Sequence, residues 1–501
     1  MTWLLLTGLL LSADAAPKPF AIEILDADTG RGVPLVELET THGMVYVTDS
    51  RGVVAFDEPG LLGRPVWFTI RSHGYEFPAD GFGMRGRRLD TAPGGEVQLK
   101  IRRLNIAERL TRLTGGGIDR DSVLVGRVPA ELARLLDGQV LGCDSIMTGV
   151  YRNRMYWFWG DTNRPAYPLG NFHMTGASSP LPKPGDDHSR GIRYHYFTDA
   201  SGFARGVCRM PGDGPTWADA ITVLTDNDGR ERMFAAYVKV KPPLTVYARG
   251  LCAWNDERSE FVHLRDVPAD APVIPFGRPF KHRDGNQESV YYADPFPCVR
   301  VPARVESFQN LDDYEAFTCL APGTTFADRK VERDARGQVV YAWKRNTPAL
   351  TAEEERKLID ANLLSLDDAH WQLAAAGTGK PVLAHRGSVR WNGYRQRWVL
   401  IAVEQGGTSF LGEVWYAEAD QPTGPFGPAV KIVTHNRYSF YNPLHHVELD
   451  AEGGRLIHFE GTYTHTFSGN PERTPRYDYN QVLYRLDLSD KRLDAAHARQ
   501  P

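Results

Sequence analysis

A recurring hairpin pattern constrains this chain more than any other feature. Five segments, MTGVYRNRMYWFWGDTN, TVLTDNDGRERMFAAYV, RGLCAWNDERSEFVHL, SVRWNGYRQRWVLIAVE and HVELDAEGGRLIHFEGTY, each set two apolar strands around a polar turn. The turn centres fall near Asn153, Asp228, Asp256, Asn392 and Gly453, at uneven spacing. Residues 118–488 make 371 positions, about 74 for each of five units, which suits four-stranded propeller blades with long loops. With 48 Gly, 34 Pro and 11% aromatic residues, turn-rich β structure is favoured over helix bundles. One segment reads as helix: Thr351 precedes AEEERKLIDA, and Thr351 with Glu354 forms a capping box, so 351–375 is predicted to be a partly helical insertion between blades. The last strand, Gln481 to Leu488, is expected to pair with the first blade and close the ring, with 489–501 left as a tail. The expected class is all-β.

Residues 17–104 follow a different rhythm. FAIEILDADTGRGVPLVELET, MVYVTDSRGVVAFD, PVWFTIRSHGY and VQLKIRR alternate apolar and polar positions at period two, broken by Asp-Thr-Gly, Asp-Ser-Arg-Gly and Pro. This predicts an N-terminal antiparallel β-sandwich. Its D-x-x-T-G-x-x-V-P and T-D-x-x-G-x-x-x-F motifs resemble those of transthyretin-like, or carboxypeptidase-regulatory-like, accessory domains. A linker, 105–117, is expected next, with a short helical connector from Ile106 to Leu113 that ends at Gly115-Gly116-Gly117.

Ahead of the sandwich, Trp3 to Leu11 is apolar and is followed by Ala13-Asp14-Ala15, a small-x-small pattern. The run is too short to cross a bilayer, which takes about 20 apolar residues. Residues 1–16 therefore read as a signal peptide, and the protein as exported to the periplasm or outside the cell. The charge balance, 58 Lys and Arg against 62 Asp and Glu, holds no basic stripe, so a nucleic-acid partner is not expected. A monomer without a membrane span is. Five scattered Cys with no C-x-x-C exclude a zinc ribbon. Cys298 and Cys319 could meet on neighbouring strands, although buried thiols are the favoured state.

Propellers place chemistry at one end of the central channel, where first strands begin and second strands return. Asp144 precedes SIMTGVY, Asp161 follows YWFWG and Asp294 precedes PFPCVRV. Glu404 follows WVLIAV, Glu413 opens EVWYAEA, His445 and His446 lie near the start of the last unit, and Glu460 follows LIHF. Carboxylates recurring at strand ends suit glycoside hydrolysis, in which one activates water and another protonates the leaving oxygen. A third carboxylate beside the acid would raise its pKa. Trp157, Trp159, Trp391, Trp398, Trp415, Tyr438 and Tyr441 flank these ends and could stack on sugar faces. Each position also has a structural reading. Asp161 in Gly-Asp-Thr suits an Asx-turn, Asp294 before Pro starts turns, strand-end Glu residues are often solvated, and of two adjacent His only one can face a channel. Asp226-Asn227-Asp228-Gly229 lacks the later Glu of a calcium loop.

GCDSIMTGVYRNRMYWFWGDT, Asp294-Pro295, EVWYAEADQPTGPFGPA and SFYNPLHHVELDAEGGRLIHFEGTY together resemble the five-bladed propeller glycosidases, the superfamily of glycoside hydrolase families 43, 32 and 117. The resemblance implies Asp144 as general base and Asp294 as pKa modulator. Where family 43 has its acidic Glu, AHRGSVRWNGYRQRW has Arg386 and Ser388. The acid would then be Glu404, Glu413, Glu460 or, by analogy with family 117, His446. Glu404 and Glu460 rank first, because each follows an apolar second strand and has a Gly within the next two residues. Asp161, Glu413, Trp159, Trp391 and Tyr441 would contact substrate, and Arg386 could bind a carboxylate or sulfate on an acidic sugar. No cofactor is required by this reading, and a structural Ca2+ in the channel is compatible with it. The alternatives are a non-catalytic carbohydrate-binding propeller or a surface protein-interaction module.

Overall fold

The computed structural model describes residues 17–183 and 185–497. The signal-peptide assignment at 1–16 lies outside these residues. No helix among them is long and apolar enough to cross a membrane.

Residues 20–103 form two four-stranded sheets. One holds Val53–Phe56, Phe20–Asp26, Glu96–Arg103 and Tyr75–Glu76, and the other Val45–Val47, Glu37–Thr40, Pro65–Arg71 and Gly86–Asp90. Period two does the sorting: in Pro65–Arg71 the buried residues are Val66, Phe68 and Ile70, and they pack against Ile22, Ile24, Leu38 and Phe56. The motif aspartates are turn anchors. Asp26 Oδ1 accepts the Asp28 amide at 2.8 Å, and Asp49 Oδ1 accepts the Arg51 amide at 3.0 Å.

The rest folds into five blades. The inner strands are Met147–Tyr151, Thr216–Thr225, Arg278–Asp284, Ala384–Asn392 and Ser439–His445, each heading an antiparallel sheet of four or five strands. Successive inner strands are neighbours around the ring. Fifth and first blades meet where Tyr441 Oη donates to Asp144 at 3.0 Å and Asn442 Nδ2 to Ser145 Oγ at 2.6 Å. This is the expected all-β architecture of sandwich plus five-bladed propeller.

The five hairpins do not map one to one onto the blades. The turn at Asp256 joins the third and fourth strands of the second blade, whose first turn is at Asp228. The third blade turns at Gly285 between Asp284 and Gln287. The helix at Ala352–Asp360 carries the anticipated capping box and lies between the third and fourth blades.

Ring closure differs from expectation. Asn480–Asp487 is the third strand of the last blade, and its outer partner is Glu108–Arg112. The segment read as a helical connector is therefore a strand, buried along its whole length. Leu110 and Leu113 face the core while Arg109 and Glu108 are matched to polar partners, so a helix-like mixture of apolar and charged residues is served by two buried faces.

Candidate active site

The channel mouth is built from irregularities at the start of the inner strands. In the second, fourth and fifth blades the register slips between Asp219 and Thr222, Ala384 and Gly387, and Tyr441 and Leu444. Ser145, Ala220 and Asn442, each following the first polar residue of its blade, have positive φ of 52°, 56° and 53°. Such bulges re-aim side chains that regular pleating would send into the sheet. The resulting cavity, about 670 Å3, is lined by residues of all five blades, among them Asp144, Asp219, Arg278, Arg386 and Tyr441. Its walls are largely apolar, with Trp217, Phe276 and Phe410 contributing.

Asp144 lies half-buried against the second strand of the first blade. A Cβ at Gly160 would come within 2.1 Å of its Oδ1, so this approach requires glycine. Burial, and after it the charge of Asp161, push its carboxyl up to about 7, while the hydroxyls of Tyr479 and Tyr441 oppose the shift. Asp161 accepts from Trp217 Nε1 at 3.2 Å and is itself raised by burial; it stands behind the cavity wall rather than on it. Asp219 accepts the Ala220 amide at 2.8 Å and the Gly277 amide at 3.0 Å. Burial raises its carboxyl, and Arg278 opposes this.

Asp294 does not open an inner strand. It sits in the turn after Gln287–Ala293, the second strand of the third blade, with its side chain buried. It holds Arg386 in an ion pair and accepts the Gly387 amide at 3.3 Å. Arg386 lines the cavity, with its charge matched by this partner.

The candidate acids are elsewhere. Glu404 and Glu413 line a separate cleft on the outer strands of the fourth blade, with Trp415 and Lys431. Glu404 accepts from Trp415 Nε1 at 2.8 Å, and Glu413 is held by Thr434 Oγ1 at 2.8 Å and Lys431 Nζ at 2.9 Å. Glu460 Oε1 and His446 Nε2 lie 3.1 Å apart with no exposed side-chain surface, and the His446 ring lies against Trp157. His445 is paired with Asp450 at 3.0 Å. Both histidines are internal to the blade packing and away from the cavity lining. Trp159 packs on Tyr194 and Tyr196 in the core. Trp391 is exposed, but it lies five residues along the inner strand from Arg386, roughly 16 Å toward the opposite end of the channel. Of the proposed contacts, Asp144, Tyr441 and Arg386 meet in the cavity.

Asp219, Trp217 and Arg278 had no part in the sequence reading. A signal is present: Asp144-Ser145-Ile146 and Asp219-Ala220-Ile221 share a pattern at equivalent places, which a hairpin beginning at Thr222 leaves out. Among the described residues no group of three or more His, Cys, Asp or Glu side chains is placed to hold a metal ion. All five Cys, Cys298 and Cys319 included, are free and buried.

No protein-family model matches the chain, and no curated protein matches it. Among solved structures it is similar to the Penicillium chrysogenum α-L-arabinanase complexed with arabinobiose, at 11% identity and TM-score 0.38 over 77% of this chain and 99% of that one. It is similar too to an exo-β-1,3-galactanase from Phanerochaete chrysosporium, at 9% identity and TM-score 0.35 over 76% of this chain and 64% of that one. The GH43_1 enzyme from Xanthomonas citri complexed with xylotriose has 9% identity and TM-score 0.34 over 70% of this chain and 87% of that one. At such scores the fold is carried by the strand order described above, not by these likenesses.

Proposed function

We propose that the protein is a glycoside hydrolase acting, with inversion, on a plant or algal-type polysaccharide or oligosaccharide. The observation that carries this reading is the placement of Asp144 and Asp219 at equivalent positions of adjacent blades, facing one largely apolar cavity. Inversion needs one protonated and one ionised carboxyl group across the scissile bond. Asp144, near 7, carries a proton over much of the neutral range and suits the donor role. Asp219, held by two amides and close to Arg278, suits the water-activating base. This exchanges the role that family resemblance implies for Asp144, and it relieves Glu404, Glu413, Glu460 and His446 of a chemical part. Export from the cytoplasm and a monomeric state belong to the same reading.

A reducing-end screen over plant and algal glycans tests it, with Asp144→Asn and Asp219→Asn as controls. Each substitution should lower the rate by about 10²-fold or more. An aryl glycoside with a good leaving group should restore turnover to the Asp144 variant and not to the Asp219 variant, because only the first lacks a proton donor. Full activity in either variant would remove that residue from the mechanism. A second reading, a non-catalytic carbohydrate-binding propeller, is favoured by one observation: the corresponding positions of the third and fourth blades hold Arg278 and Arg386, and among the described residues no Glu lines the cavity. Glycan binding by a wild-type protein that hydrolyses none of the panel would establish it.

A further inference from the structure

The polar residues opening the five inner strands are, in ring order, Asp144, Asp219, Arg278, Arg386 and the pair Tyr441-Asn442. Two guanidinium groups thus face two carboxyl groups across one cavity, and their circumstances differ. Arg386 is neutralised by Asp294. Arg278 is only 4% exposed, its side chain makes no hydrogen bond among the described residues, and its buried Nε is without an acceptor. Its carboxylate neighbour, Asp219 Oδ1, is 3.8 Å away, beyond hydrogen-bond reach, and the Asp219 oxygens already accept two backbone amides. Arg249, on the third strand of the second blade, lines the same cavity, and its side chain has no hydrogen bond or ion pair among the described residues. Deeper in the channel Arg390 is lowered to about 10, mainly by burial; Glu448 and Asp450 oppose the shift and the charge of Arg278 adds to it.

A buried guanidinium without acceptors is costly unless something outside the chain completes it. We propose that the cavity recognises an anionic sugar, bearing a uronate carboxylate or a sulfate ester, through the planar fork of Arg278 with Arg249 as the second cation. This rests on the carbohydrate reading above and names its substrate class. Carboxylate and sulfate both present paired oxygens that a guanidinium engages in two parallel hydrogen bonds. The apolar walls formed by Leu244, Val246, Ile274 and Phe276 would strengthen that pairing. Arg386, the residue to which the sequence pointed for this task, is already engaged.

The test is calorimetric binding to the full chain of four probes: a galacturonate trisaccharide, its neutral methyl ester, a sulfated galactan trisaccharide and its desulfated counterpart. At least one anionic probe should bind about tenfold or more tighter than its neutral partner, and the arm that does so identifies the anion. Arg278→Gln should bring that ratio to within about threefold, and Arg278→Lys should keep part of it, since a point charge lacks the fork. Thermal melting checks that the variants fold, and Arg249→Gln, expected to reduce the ratio severalfold, provides a second site should Arg278→Gln fail to fold. Equal binding of both members of each pair, no binding of any probe, or an undiminished ratio in a folded Arg278→Gln protein would each overturn the proposal. Discrimination without hydrolysis would sink the glycosidase reading alone. Hydrolysis of neutral glycans without discrimination would sink the anion subsite alone.

Discussion

Two buried arginines show how differently the seam between the domains and the channel mouth are built. Arg109, on the strand that closes the last blade, is 1% exposed; Arg278, at the third inner strand, is 4% exposed. Arg109 donates from Nε to Pro34 O at 3.0 Å, from Nη1 to His73 O at 3.2 Å and from Nη2 to Ser72 Oγ at 2.6 Å. Beside it Glu108 binds Arg31 at 2.8 Å and Arg485 at 2.5 Å, tying the sandwich to the propeller. Arg278 has no such partners. Full satisfaction by the chain marks a cation that holds structure together, whereas a cation left open toward a cavity is poised for a ligand.

That contrast can be broken by measurement. Arg109→Met leaves three acceptors at the seam without a donor and should cost about 3–5 kcal/mol in denaturant unfolding. An unchanged midpoint would remove the structural role of Arg109.

Asp144 gives the next effect, on stability against pH. Its folded value, about 7, is above the ordinary carboxylate value near 3.9 of the unfolded chain, so the folded state holds its proton more tightly. The contribution is complete below about pH 4 and is lost as pH rises through about 7, amounting to roughly 2–4 kcal/mol. Wild-type melting temperature should fall over this interval relative to Asp144→Asn. Parallel curves for the two proteins would show that burial does not raise this carboxyl.

Arg278→Met should cost less unfolding stability than Arg109→Met, because it removes only the 3.8 Å pairing with Asp219 and no side-chain hydrogen bond within the chain. A loss as large as that of Arg109→Met would make the two arginines alike and end the comparison. Smallest of all, Glu404→Gln should alter glycan turnover less than about twofold, as it lies in a separate cleft; a hundredfold loss would return it to the mechanism.

The architecture was legible because period-two alternation and turn residues act locally. Val66, Phe68 and Ile70 face inward for reasons written in their own neighbourhood. Asp144 and Tyr441 were legible as well, since each sits at the start of a strongly patterned inner strand. Asp219 was obscured by its register slip, in which the three steps from Asp219 to Thr222 face two on the partner strand, Ala236 to Phe234. Glu460 and His446 were misleading for the opposite reason: a polar residue at a strand end looks solvated in sequence, but here the two side chains are buried against each other at 3.1 Å.

By itself the sequence determined an all-β chain of two parts, since hairpin periodicity, turn chemistry and strand length are local properties. The tertiary structure decided which strands share a blade, that residues 108–112 close the ring, and which charges meet in the cavity. Those outcomes depend on contacts between residues hundreds of positions apart. Whether a carboxylate or guanidinium is paired, buried or open to a ligand is settled by neighbours that no local pattern names.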